Sequence, residues 1–345
     1  MNSYERYMAT IKGEKTDILP RLPILMAFAA NYIDSYYGAF ASDYRVLVEA
    51  NLKCIEAFDF DQVSAISDPY RETQGFGADI LFPRDEVPRC IAPPLETNKD
   101  LSSLKKPDPY SSTRMLDRIN AIREFKKLVY KRYSIMGWIE GPAAESADLR
   151  GVTNLLMDLA MDPDFTVELM DLCVNVAIDF AIAQLESGAD TIGIGDAIAS
   201  QISPAMYDEF IFPQEKKIID RIHKAGGIVR LHICGNTSHL LPYMAKLDAE
   251  IIDLDWQVDM KKARQILGEK TVLVGNIDPV NAVMKATPLV PPSNGRTEEQ
   301  IIKHVQQIYS DVGNPYMVGA GCEIPPGTPY ENLKALCDPV AYSYN

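Results

Sequence analysis

The chain has 345 residues, of which 47% are hydrophobic and 24% charged, and a net charge of −14. That composition suits a globular chain with a sizeable core, and the negative charge argues against a nucleic-acid backbone or an anionic membrane surface as the main partner. The polar start MNSYERYMATIKGEKTD lacks the apolar core of a secretory signal, and no apolar run reaches the roughly 18 residues of a membrane span. Six scattered cysteines fit the reduced thiols of a cytoplasmic enzyme better than a disulfide framework.

From residue 18 onward, short apolar or β-branched runs alternate with longer stretches of helical periodicity. Strands are predicted at 22–27, 62–67, 133–139 and 190–195, then at 228–233, 250–255, 271–276 and 316–321. Helices are predicted at roughly 44–57, 114–129, 163–187, 205–224, 260–267, 298–312 and 329–337. Local chemistry supports their ends. Asp162-Pro163 and Ser203-Pro204 read as cap plus first helical residue, Thr297 with Gln300 and Thr328 with Glu331 as capping boxes, and Gly226-Gly227 as a stop.

The stretch ADILFPRDEVPRCIAP reads as a hairpin turning around Pro83-Arg84-Asp85, inserted after the second strand, and ATPLVPPSNGRT (286–297) as a loop. Eight strands alternating with helices predict an α/β protein, a (β/α)8 TIM barrel forming one domain over 1–345. No glycine-rich phosphate loop follows the first strand, which counts against an open dinucleotide-binding sheet.

Polar residues recur where these strands stop: Asp68, Glu140, Asp196, His232 with Cys234, Asp255, Asn276 with Asp278, and Cys322. In a closed parallel barrel these ends converge on one face, where such folds place their chemistry. His232 and Cys234 are two apart on a strand and therefore point to the same side. With Cys322 from the last strand end they match a three-ligand zinc site with one open position, although buried cysteines also serve as small hydrophobes.

Asp196 and Glu140 are candidates for a further zinc ligand, a partner of a ligand or a general acid/base, and equally for a helix cap. Asn276 and Asp278 in GNIDPV can form an Asx turn before Pro279. Tyr32, Tyr36 and Tyr37 in ANYIDSYYG either wall a pocket or pack the barrel mouth against the hairpin. Tyr32, Tyr36, Asp68 and Asn276 are the candidate substrate-binding residues.

The motifs GPAAESADL, DPDFTVELM, GADTIGIGDAIAS, ISPAMYDEF, LHICGNT, VGNIDP and GAGCEIPPGTPYENLKAL resemble the uroporphyrinogen decarboxylase superfamily. More closely they resemble its corrinoid-linked branch of zinc methyltransferases, over roughly 135–337. The resemblance implies a TIM barrel, Zn²⁺ held by His232, Cys234 and Cys322, and a corrinoid brought by a separate corrinoid-binding protein. It also implies a methyl group exchanged with a small substrate, either a thiol acceptor or a methoxy or methanol-type donor as in O-demethylation. It is compatible with a homo-oligomer.

The alternative is a uroporphyrinogen-type decarboxylase. Those enzymes carry an arginine-rich loop after the first strand to hold the porphyrinogen's propionates, whereas the matching place here reads AFAANYI, without arginine. Methyl transfer to or from a protein-held corrinoid further predicts an open barrel mouth.

Overall fold

Nine strands occur among the described residues, 1–285 and 297–343, of a computed structural model: β1 (Gln62–Ser64), β2 (Ile80–Leu81), β3 (Arg89–Cys90), β4 (Ser134–Glu140), β5 (Thr191–Gly195), β6 (Ile228–His232), β7 (Ile251–Leu254), β8 (Val272–Gly275) and β9 (Tyr316–Met317). Seven of them form one parallel sheet in the order β1-β4-β5-β6-β7-β8-β9, with helices between them. Strands buried on both faces read as continuous apolar runs, which is why β4 through β8 are legible in the sequence.

The predicted strand at 22–27 forms differently. Pro20 and Pro23 lack the N–H groups a ladder needs, and the chain turns into a helix at Ala27–Tyr32. Residues 20–22 nevertheless close the barrel between β9 and β1. Leu22 N–H donates to Val318 O at 2.7 Å, Val318 N–H to Pro20 O at 2.8 Å, and Asp61 N–H to Arg21 O at 2.9 Å. The result is a TIM barrel whose first staves are held by a few main-chain bonds.

Helices form close to their predicted spans at Tyr44–Phe58, Thr113–Val129, Pro163–Ser187, Met260–Leu267, Thr297–Val312 and Tyr330–Leu336. The cap chemistry differs in detail. Ser203 accepts from Met206 N–H at 3.4 Å as expected. Asp162 instead gives its carboxylate to Lys99 at 2.7 Å, and Thr328 makes no cap, its buried hydroxyl lacking a partner. The predicted loop at 286–296 and the side chain of Thr297 lie outside the described residues.

β2 and β3 pair antiparallel, Ile80 with Cys90 and Leu81 with Arg89. The turn between them rests on the N-terminal region: Gly38 N–H donates to Arg84 O at 3.1 Å, and a Cβ at Gly38 would lie 2.5 Å from Pro83 O. Glycine is therefore required for that close approach.

The barrel interior is layered. At the bottom, Tyr7 from the helix Ser3–Ile11 packs on Leu22, Ile251, Val272, Val274 and Met317. Above it Gln62, Ser134 and Arg230 form a buried polar layer, with Arg230 bonded to Gln62 at 2.9 Å. Ile24, Ile66, Met136 and Trp138 lie above that layer and form the floor of the mouth. No helix among the described residues is long and apolar enough to cross a membrane.

Candidate metal centre

His232 ends β6 and Cys234 follows it on the adjoining loop, while Cys322 lies just beyond β9. Gly321 explains how the last residue arrives. Its N–H donates to Ile277 O at 2.9 Å, and a Cβ there would sit 2.5 Å from Trp256 N, so only glycine lets the chain pass so close. His232 Nε2 is 2.9 Å from Cys234 Sγ, Cys234 Sγ is 3.5 Å from Cys322 Sγ, and the ligand atoms of the three lie within 4.8 Å of one another. Among the described residues this is the one such group of metal-ligating side chains.

The donor set fits zinc: one imidazole nitrogen and two thiol sulfurs, with room for a fourth ligand. The imidazole is oriented from behind. His232 Nδ1 lies 2.9 Å from Asp253 Oδ2, on the strand position in register with His232, so Nδ1–H donates and Nε2 faces the sulfurs. Asp253 accepts in turn from Arg230 Nε at 2.8 Å. Burial raises Asp253's pKa, but Arg230 and the bond from His232 outweigh it, so the carboxyl stays below its ordinary value.

The sulfurs share one stabilised thiolate. The hydrogen bond between them pulls the Cys322 thiol down to about 4 against burial, with His232 adding to the effect. The same bond, together with burial, pushes Cys234 up. Cys54, Cys173 and Cys337 are buried elsewhere, with thiols raised by burial.

These three ligands line a cavity of about 250 Å³ at the barrel mouth, with Ile24, Met26, Tyr37, Ile66, Trp138 and Val87 among its apolar walls and Asp68, Glu140 and Glu323 among its polar ones. Glycines 193 and 195 of the GIG motif explain the floor. Cβ atoms at these positions would fall 2.2 and 2.9 Å from the Trp138 indole, which lies across β5 and meets the His232 ring at 5.9 Å. Glu323 accepts from Ala27 N–H at 3.0 Å, tying the Cys322 loop to the helix Ala27–Tyr32, and burial pushes its carboxyl up to about 7.

Of the other predicted site residues, Glu140 and Asp68 reach the cavity. Glu140 Oε1 accepts from Arg71 at 2.5 Å and from Trp138 Nε1 at 3.2 Å. Asp68 is paired with Arg114 and with Ser67 Oγ at 2.8 Å; although burial opposes it, Arg114 and Arg71 hold its carboxyl below the ordinary value.

Asp196 lies behind the wall. Its carboxylate accepts from Ala144 N–H at 2.6 Å and Ala143 N–H at 3.3 Å, at the start of the helix Pro142–Arg150, and burial pushes it up to about 7. Asn276 donates to Asp255 O and Val258 O at 3.0 and 2.8 Å, holding a loop together, and Asp278 makes the expected Asx turn.

The tyrosines divide. Tyr37 lines the cavity and donates to Ser67 O. Tyr32 packs edge-on against Phe58 and Tyr330 at 5.1 and 5.2 Å, and Tyr36 is exposed beneath the Arg84 guanidinium of the hairpin turn. Sequence reasoning missed Trp138, Asp253, Arg71 and Glu323. The glycines opposite Trp138 and the IIDLD run of β7 were the available signals for the first two.

The profile of the uroporphyrinogen decarboxylase (URO-D) family matches residues 2–342. The chain belongs to that family. A methylcobamide:CoM methyltransferase, MtbA, of Methanosarcina mazei is 27% identical to it, over 97% of this chain and 96% of the relative. A uroporphyrinogen decarboxylase of Pseudoalteromonas atlantica is 24% identical over 99% and 97%. Among solved structures, a methyltransferase from Methanosarcina mazei superposes with a TM-score of 0.86 at 23% identity, covering 97% of each chain, which supports the barrel fold.

Proposed function

We propose that this family member is a zinc-dependent methyltransferase that exchanges a methyl group between a corrinoid protein and a small substrate. The observation that carries the reading is the convergence of His232, Cys234 and Cys322 on the wall of the mouth cavity. The MtbA relatives, matched over nearly the whole chain, support the same chemistry.

His232, Cys234 and Cys322 would hold the ion, which when bound supplies a Lewis-acidic open position for a substrate oxygen or thiol. Asp253 and Arg230 keep the imidazole in the tautomer that presents Nε2. Trp138, Tyr37, Ile24 and Ile66 give the substrate an apolar seat and exclude water. Glu140 is the side chain placed to move a proton at the reacting group, and Asp68 borders the same space. Asp196, with both oxygens on helix amides, holds the wall in shape.

A decarboxylase acting on a polycarboxylated tetrapyrrole needs cations facing its substrate. Among the described residues no Lys or Arg side chain lines the cavity, while three carboxyl side chains do, which favours methyl transfer. Metal analysis of the wild type beside Cys322→Ala and His232→Ala tests the reading. Near-stoichiometric zinc lost in both variants supports it, and unchanged metal content removes it. The companion assay follows the interconversion of cob(I)alamin and methylcobalamin with methoxyarenes, methanol and thiols offered in turn.

A further inference from the structure

Behind one wall of the mouth cavity lies a group of carboxyls with too little positive charge to balance it. Glu140 faces the cavity from the end of β4; Glu72, on the helix Arg71–Gly75, and Glu145 and Asp148, on Pro142–Arg150, lie behind it. Arg71, fully buried, places NH2 2.5 Å from Glu140 Oε1 and Nε 3.5 Å from Glu72 Oε2. Glu145 and Asp148 have no ion pair among the described residues, and Glu72 Oε2, Glu145 Oε1 and Asp148 Oδ2 are buried without a hydrogen-bond partner.

Four desolvated carboxylates cannot all stay ionised around one guanidinium, so the group holds protons near neutral pH. Burial raises all four, that of Glu140 to about 8, with Arg71 opposing the rise and Glu72 adding to it. The geometry directs the proton. Glu140 Oε1 already accepts from Arg71 and Trp138, which leaves Oε2 to carry it. Glu72 Oε1 accepts the Glu140 backbone N–H at 3.0 Å, and Thr73 Oγ1 donates to Glu145 at 3.2 Å, so the cluster is fixed against the strand end.

Of the other charged groups facing the cavity, Asp68 is paired with Arg114 and His232 with Asp253, while Glu323, raised by burial, accepts from Ala27 N–H. Glu140 and His232 occupy one register row, separated only by Gly195, so their backbones lie roughly 10 Å apart along the strand-to-strand direction and both side chains line the same cavity.

We infer that Glu140, kept loaded by Glu72, Glu145 and Asp148 around Arg71, hands its proton to the departing oxygen of an uncharged methyl ether, so that the site takes methyl groups from neutral methoxy compounds rather than serving an anionic thiol. The inference rests on the methyl-transfer reading above. In the step, the methyl C–O bond breaks with its electron pair going to oxygen, and the Glu140 proton passes to that oxygen to give a neutral alcohol or phenol. The methyl carbon bonds to the cobalt of a reduced, cobalt(I) corrinoid, whose electron pair forms the new bond. Glu140 is left as a carboxylate beside Arg71 and regains a proton from water through the cluster. A thiol acceptor would reverse the proton's direction, and a Glu140 that already holds its proton cannot accept the one a thiol releases.

The test gives zinc-loaded wild type and Glu140→Gln free cob(I)alamin with two donors, methoxybenzene and a nitro-substituted methoxybenzene whose phenolate leaves without protonation. Glu140→Gln is expected to lose about 100-fold or more with methoxybenzene and less than about tenfold with the nitro donor, as loss of a general acid requires. Glu72→Gln, which keeps the Oε1 acceptor, is expected to move the alkaline limb of the pH–rate profile to lower pH, because Glu140 loses a like-charged neighbour. Equal losses on both donors in Glu140→Gln, or an unmoved limb in Glu72→Gln, would overturn the proton-donor role. A wild type that methylates thiols from methylcobalamin but demethylates neither ether would overturn the inference and leave methyl transfer standing. No exchange with any donor or acceptor, in zinc-replete protein, would remove both.

Discussion

The two sides of the barrel mouth handle buried charge in opposite ways. On the β6–β7 side, each group has a partner of the complementary kind: His232 against Asp253, and Asp253 against Arg230. On the β4 side, Glu140 and Glu72 share the guanidinium of Arg71, Glu145 and Asp148 have no ion pair among the described residues, and three oxygens of the four groups lack a hydrogen-bond partner. A matched chain fixes one tautomer and one orientation, as a metal ligand needs. An unmatched cluster of carboxyls instead stores protons, because neutralising a carboxyl costs less than leaving it ionised in a dry site. The same cavity therefore joins a rigid donor set to a titratable wall.

The sharpest way to break the contrast is to remove the guanidinium that Glu140 and Glu72 share. Arg71→Met is expected to destabilise the fold by about 3–5 kcal/mol at neutral pH, the usual cost of stranding a buried charge, with part of the loss recovered at pH 5 as the carboxyls protonate. Chemical denaturation at the two pH values checks it, and a uniform small loss would mean Arg71 is not balancing the cluster.

On the matched side, Asp253→Asn keeps the shape but gives up the charge that orients His232. Zinc affinity is expected to fall about 10–100-fold in a chelator competition, with little change in the fold.

The wild type's stability should also follow the acidic wall. Glu140 rises from about 4.5 to about 8 on folding, so the native state binds the proton more tightly and its contribution is complete below pH 4.5. That contribution is lost as pH climbs through 8, with a slope approaching about 1.4 kcal/mol per pH unit for each proton the cluster releases. Melting curves between pH 5 and 9 report the slope, and it should flatten in Glu140→Gln.

The smallest effect belongs to neither side. Thr328 hides an unbonded hydroxyl where the sequence promised a capping box, so Thr328→Val should leave stability unchanged or raise it by up to about 1 kcal/mol. A loss of that size would restore the cap.

The cluster of His232, Cys234 and Cys322 was legible because its signals are local. His232 ends a strand with a clear apolar pattern and Cys234 follows two residues on, while Cys322 stands beside Gly321, which a tight approach demands. Asp253 escaped notice because a carboxylate inside an apolar strand reads as an interruption until the register places it beside His232. Among the aromatics, Tyr37 walls the cavity while Tyr32 and Tyr36 pack elsewhere, a division that residue type cannot announce.

By itself the sequence determined the alternation of strands and helices, the barrel it closes into, and the imidazole and sulfurs at its rim, because periodicity and spacing are properties of neighbouring residues. Only the tertiary structure decided that Pro20 and Pro23 would replace a first strand with a few bridging bonds, that Asp196 would cap a helix, and that Arg71 would stand alone among four carboxyls. Those outcomes depend on which groups end up dry and which partners reach them, and burial is settled only when distant segments pack.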